Sequence, residues 1–378
     1  MRNFLIFCLV VVLVLGAGVA RSFDKENVEL KILEFDPYFV LPIPEKTPEK
    51  FVGFSPSVGV LLQVVNHTQT TIQAGYESAT LEIVNADDQV LPLPRDSNQG
   101  ANKPETYCQL VEPKKETFLL LSLDLKWQGE KLTLINWNGS HNFDDIKPGL
   151  YRLRTIYNNP GGTISCLDNT NQRITVKNLG AGRGATNFIP LRIVHPYKVD
   201  RYTVEIDGIW YETVLSHPVA TIPPKSEEAT TPFLASIRIT NQTSTPRFFG
   251  RADSLMPIII GANDQLLPPE EGGRAGGRGQ VCELIQPGES KTFSWNAQFQ
   301  WRDNSLYLSG DDNFRYSWVY KDVKPGRYRI AINYFPSSIS SKCIFPSETS
   351  NSAKPVRLSG SQGLVPYVPF ILSEQPKL

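Results

Sequence analysis

The chain has 378 residues, 40% of them hydrophobic, with 38 basic and 38 acidic side chains that cancel. This length exceeds one ordinary domain, so two or three compact domains are expected. With zero net charge and no long basic or acidic block, nothing marks a nucleic-acid surface, a charged tail or a polybasic membrane patch, and no nucleic-acid partner is expected.

Residues 1–20 read as an export signal. Arg2 gives a positive start, Phe4 to Leu15 is unbroken apolar sequence, and Gly16-Ala17-Gly18-Val19-Ala20 ends in small residues. Cleavage is predicted after Ala20, and Cys8 leaves with the leader. The alternative is an uncleaved N-terminal anchor, because the apolar run approaches the length needed to span a bilayer. No later run is long enough to cross a membrane. The mature chain is therefore expected in the periplasm or outside the cell.

Beyond the leader the pattern is β. Val60, Leu62 and Val64 alternate with Leu61, Gln63 and Val65, which predicts a strand with one face on a core. Asn66-His67-Thr68 follows as a strand-ending turn, since Asn bonds readily to its own backbone. It is also an N-x-S/T sequon, as are the sequences at Asn138 and Asn241. Arg95 to Lys103 reads as an exposed loop before Cys108, and Trp127 as a core residue. Pro148-Gly149 makes a turn, after which Tyr151, Leu153, Thr155 and Tyr157 share the inner face of a strand and Arg152 and Arg154 the outer. Cys166 comes next, and Gly180-Ala181-Gly182-Arg183-Gly184 reads as a mobile loop, lacking the Gly-Lys-Ser/Thr ending of a phosphate loop.

The second half repeats the first at offsets of 174 to 177 residues. Asn241-Gln242-Thr243 matches Asn66-His67-Thr68, and Ala262 to Pro268 matches Ala86 to Pro92. Cys282, Trp301, Pro325-Gly326 and Cys343 match Cys108, Trp127, Pro148-Gly149 and Cys166. Ile43-Pro44-Glu45-Lys46 echoes Ile222-Pro223-Pro224-Lys225, so Pro218 to Pro232 reads as an internal loop of the second copy. The fold class expected is all-β: two tandem duplicated immunoglobulin-like β-sandwiches, at 23–197 and 198–378. Tyr151 and Tyr328, each just after a Pro-Gly, are candidates for the corner tyrosine that bonds back across such a turn.

Four cysteines remain after the leader, and three pairings are open. The duplication selects Cys108–Cys166 and Cys282–Cys343, one bridge per copy, as suits an exported chain. Catalytic, cofactor and metal sites are all expected to be none. The thiols lack zinc spacing, no histidine pair has metal-ligand spacing, and no G-x-S-x-G elbow occurs. Asp87-Asp88, Asp144-Asp145 and Asp311-Asp312 lack calcium-loop spacing. Glu270 to Gly279 reads as a second exposed loop, whose Arg274 and Arg278 are candidate contacts for an acidic partner.

Arg238-Ile239-Thr240-Asn241-Gln242-Thr243, then Leu284-Ile285-Gln286-Pro287-Gly288-Glu289-Ser290 and Val323-Lys324-Pro325-Gly326-Arg327-Tyr328-Arg329-Ile330, resembles the intracellular proteinase inhibitor (BsuPI-like) family. The resemblance implies an immunoglobulin-like sandwich and, by analogy, binding to a subtilisin-type protease. In the first copy Glu112-Pro113-Lys114-Lys115-Glu116 stands where the second has Gln286-Pro287-Gly288-Glu289-Ser290. The overall pattern also resembles bacterial envelope proteins of cyanobacterial type. The reading is thus an exported, non-enzymatic binding or structural protein that meets a protein or envelope polymer through sandwich loops or edges. The alternative is an inhibitor of a subtilisin-type serine protease.

Overall fold

The computed structural model describes residues 27–33, 39–43, 56–75, 78–92, 108–136, 142–167, 170–226, 228–250, 255–274, 280–311, 316–334, 341–344, 354–356 and 363–374. The leader, the loop 95–103, Asn138 and Arg278 lie outside them. Described residues form strands and turns and no α-helix.

In the first half the strands are β1 (Val28–Ile32), β2 (Phe39–Pro42), β3 (Ser57–Asn66), β4 (Ile72–Gln73), β5 (Ala79–Asn85), β6 (Leu110–Val111), β7 (Glu116–Gln128), β8 (Lys131–Asn136), β9 (Asn142–Phe143), β10 (Gly149–Asn159), β11 (Gly162–Leu167), β12 (Arg173–Leu179), β13 (Gly182–Ala185) and β14 (Ile189–Val194). There follow β15 (Tyr197–Lys198), β16 (Thr203–Ile206), β17 (Ile209–Leu215), β18 (Val219–Thr221), β19 (Thr230–Asn241), β20 (Arg247–Gly250), β21 (Leu255–Ile260), β22 (Glu271–Arg274), β23 (Gln280–Ile285), β24 (Ser290–Arg302), β25 (Ser305–Asp311), β26 (Tyr316–Tyr320), β27 (Gly326–Tyr334), β28 (Ser341–Ile344), β29 (Lys354–Val356), β30 (Gly363–Leu364) and β31 (Val368–Ser373).

The first half packs two sheets around one core. One has the order β1-β3-β7-β8-β9; in the other β10 pairs β5 along one edge and β13 and β14 along the other, with β2 parallel to β14. Val60, Leu62 and Val64 of one sheet and Leu153 and Tyr157 of the other enter the same buried cluster. This is the inner set that the alternation predicts, because a period of two commits every second side chain to one face.

The second half repeats the strand order, as β17-β19-β24-β25-β26 and as β27 flanked by β21, β30 and β31, with β18 parallel to β31. The first of these sheets is wider than its counterpart, gaining β15 and β16 at one edge and β22 at the other. β15 straddles the expected boundary at 197/198 and pairs with β16. Val40 and Val194 of the first half pack against the second core, and Arg192 pairs with Asp207 beside them.

Three expectations need correction. Gly180 to Gly184 is no mobile loop: Gly182–Ala185 forms β13, paired with β10. The segment 270–279 is no plain loop either, since Glu271–Arg274 forms β22 against β26. Likewise the proline-rich 218–232 holds β18 and the start of β19. Trp127 and Trp301 sit partly buried at the rims of their cores, while among the described residues Trp295 and Trp318 are the tryptophans wholly inside.

Candidate functional site

The residues marked out by sequence do structural work. Tyr151 Oη donates to the Lys147 carbonyl at 2.9 Å, and Tyr328 Oη donates to the Lys324 carbonyl at 2.6 Å. Both therefore close the Pro-Gly corner that precedes their strands. Tyr328 also stacks on Phe370, with ring centres 5.3 Å apart. Burial pushes its phenol, and that of Tyr157, above the usual tyrosine range.

Asn66 and Asn241 are completely buried hubs. Asn66 Nδ2 donates to the carbonyls of Thr70 and Val111, each at 2.8 Å, and its Oδ1 accepts from Thr68 N and Oγ1. Asn241 repeats the set, reaching the carbonyls of Thr245 at 2.8 Å and Ile285 at 3.0 Å and accepting from Thr243 N and Oγ1.

Cys108 and Cys166 form a disulfide. Cys282 is disulfide-bonded as well, and its strand β23 runs parallel to β28, which carries Cys343. Two of the acidic pairs are partly spent on an ion pair or a hydrogen bond: Asp88 meets Arg152, as Asp264 meets Arg329 in the second half, and Asp144 accepts from Thr133 Oγ1 at 3.3 Å. Among the described residues no three His, Cys, Asp or Glu side chains are grouped as metal ligands.

Two clefts lie in the second half. One, of about 560 Å³, sits at the Tyr328 corner between Pro223, Trp301, Asp322 and Pro325. Lys225 already lies over the Trp301 ring, 5.6 Å from its centre, and the indole Nε1 donates to the Pro223 carbonyl.

The other cleft, of about 640 Å³, is a trough on the outer face of the wide sheet. Register builds it in two rows across the strands. Leu234, Asn296, Asp311, Ser317 and Gly273 are successive partners in one; Pro232, Gln298, Ser309, Val319 and Glu271 in the other. Five strands at about 4.8 Å spacing give a row roughly 19 Å long. The side chains of Asn296, Gln298, Ser309 and Ser317 make no hydrogen bond to a described residue. Among the described residues lining the cleft Arg302 is the charged one, and Gln300 Oε1 accepts from its Nε and Nη2. Beneath the floor Trp318 crosses Gly310 so closely that a Cβ there would lie 2.4 Å from the indole. β22 pairs with β26 at this edge of the sheet, with Arg274 opposite Tyr316 in register.

The corresponding strand of the first half, β7, carries Ser122, Asp124 and Lys126 outward, and Lys126 pairs with Asp124 at 3.2 Å. The two halves thus agree in their cores and differ on this face. Sequence reading passed over the trough, although Asn296, Gln298 and Gln300 alternate with the core residues Trp295, Ala297 and Phe299. An amide-only outer face on a strand was the available signal.

No family model and no curated protein matches the chain. Among solved structures, a protein of unknown function from Porphyromonas gingivalis W83 is 13% identical, with a TM-score of 0.17, over 78% of this chain and 97% of that one. The native conformation of E. coli alpha-2-macroglobulin is 11% identical, with a TM-score of 0.19, over 93% of this chain and 17% of that one. Superposition at this level carries no information about fold or function.

Proposed function

We propose that this is an exported, non-enzymatic binding protein of the cell envelope or extracellular space, built from two sandwiches that arose by duplication. In this reading each sandwich holds one disulfide, Cys108–Cys166 and Cys282–Cys343, and the outer face of the second takes the partner. The observation that carries it is the trough. Four polar side chains, Asn296, Gln298, Ser309 and Ser317, lie in two neighbouring register rows with no hydrogen bond to a described residue, on a face where the first half carries an ion pair. A rigid sheet with preset side chains loses little entropy on binding, which suits recognition.

The test is capture from native envelope and culture medium by the mature, oxidised chain, alongside a Ser309→Trp variant that fills the trough. The proposal expects a captured component that the variant loses. Capture that the variant leaves unchanged, including capture and stoichiometric inhibition of a subtilisin-type protease, would overturn the assignment of this face.

A further inference from the structure

We infer that the trough binds a polysaccharide strand laid across β19, β24, β25 and β26. This deepens the proposed function and rests on its reading that the outer face takes a partner. Three observations lead to it. First, the lining is rich in groups that both donate and accept: the Asn296 and Gln298 amides and the Ser309 and Ser317 hydroxyls. A sugar hydroxyl is likewise donor and acceptor at once, so either member of each pair can supply the proton. Second, Pro232 and Leu234 at one end of the two rows and Val319 towards the other flank these groups and give an apolar bed for sugar C–H faces. Leu234 is 39% exposed and so available to a ligand. Third, the rows run across the strands, and neighbouring strands stand roughly one pyranose unit apart. Successive sugars then meet successive strands.

An extended peptide fits this face less well. It binds a sheet through backbone hydrogen bonds at an edge, with separate pockets for alternate side chains. A sheet face offers only side chains, and here amides and hydroxyls lie side by side between apolar flanks rather than at a strand edge. Arg302, tethered through Gln300, is the charged side chain among the described residues lining the cleft, while Asp311 and Glu271 hold positions in the two rows, so an uncharged sugar chain and one bearing carboxylates are both put to the test.

The experiment titrates the full mature chain with three probes: a neutral β-linked glucan oligosaccharide, a uronic-acid oligosaccharide and an uncharged extended peptide. The same titrations are run on Asn296→Ala with Gln298→Ala, and on Asp124→Ala in the first half. All three altered positions point out of the cores, and thermal unfolding of each variant checks folding. Binding of one oligosaccharide is expected, weakened at least about tenfold by the double variant and unchanged by Asp124→Ala, as two lost hydrogen bonds imply. Preference between the two sugars shows whether Arg302 contributes a charge contact. Binding of the peptide alone, weakened by the double variant, would overturn the polysaccharide while leaving the trough as the binding face. Sugar binding indifferent to the double variant would overturn the site, and no binding to any probe would overturn the inference.

Discussion

Asn66 and Asn241 stand in sequons, yet neither has a free hydrogen on Nδ2, because both already reach backbone carbonyls. A glycan at Nδ2 is incompatible with the folded state. Expression in a glycosylating host should leave both residues unmodified in the soluble, folded product; intact-mass and peptide mapping would check it, and a glycan on either in folded protein would contradict it. Asn241→Ala should cost about 1–3 kcal/mol in denaturant unfolding, because it removes the partner of the Ile285 carbonyl and of the Thr243 N–H, while Thr243 Oγ1 keeps its bond to the Thr245 carbonyl. The sequence marked these asparagines as strand-ending turn residues. It left out their burial, which depends on Val111 and Ile285 arriving from distant strands. Tyr157 and Tyr328 give a pH test. Desolvation raises both phenols, so the unfolded chain ionises first. Their contribution to stability is complete below the ordinary value of 10.0 and falls away as pH rises through their raised values. Tyrosinate absorbance should show both among the last phenols to titrate, with unfolding temperature dropping over the same interval. Early titration of either would contradict its burial.

At the scale of elements, alternation made the long strands legible and glycine misled. The Gly180–Gly184 segment reads as a loop because nothing local says that its backbone meets another. A Cβ at Gly184 would lie 2.2 Å from the Val28 carbonyl oxygen, and one at Gly180 would lie 1.9 Å from Thr70 Oγ1. Arg183 N donates to Asn27 Oδ1 at 2.9 Å and completes the closure of β13 on β1. These glycines let the two sheets touch at their edge, which no periodicity reveals. Gly184→Ala should destabilise by about 1–3 kcal/mol through overpacking against backbone, read as a lower denaturation midpoint. An unchanged midpoint would contradict the close approach. The turn before β7 shows the converse. Lys114 (φ 62°) adopts the left-handed conformation that Gly288 (φ 75°) holds in the second half. Pro-Lys therefore makes the turn that Pro-Gly makes, and the first copy's departure from the Pro-Gly-Glu-Ser pattern is one of residue rather than of backbone. Gly288→Ala should cost about 1 kcal/mol, since a Cβ is strained there although the space is open.

Across the whole molecule, the Cys108–Cys166 bridge closes a loop over a sequence separation of 58. Loop entropy puts its loss at about 4 kcal/mol, so Cys108→Ala with Cys166→Ala should lower the unfolding midpoint strongly. A shift near zero would contradict that role. The halves also meet: Val40 and Val194 seat against the second core beside the Arg192–Asp207 pair. A partner held on the second sandwich is thereby positioned relative to the first. The common strand order of the two halves was legible because core and turn positions carry similar residue types at near-fixed offsets. The trough was not, because Asn296, Gln298, Ser309 and Ser317 become neighbours only through strand register. The most direct measurement compares the native chain with Ser309→Trp for retention of polysaccharide from the native envelope, both shown folded by their unfolding curves. The account predicts that the native chain retains envelope polysaccharide and that the variant loses it. Equal retention by the two, or none by the native chain, would contradict it.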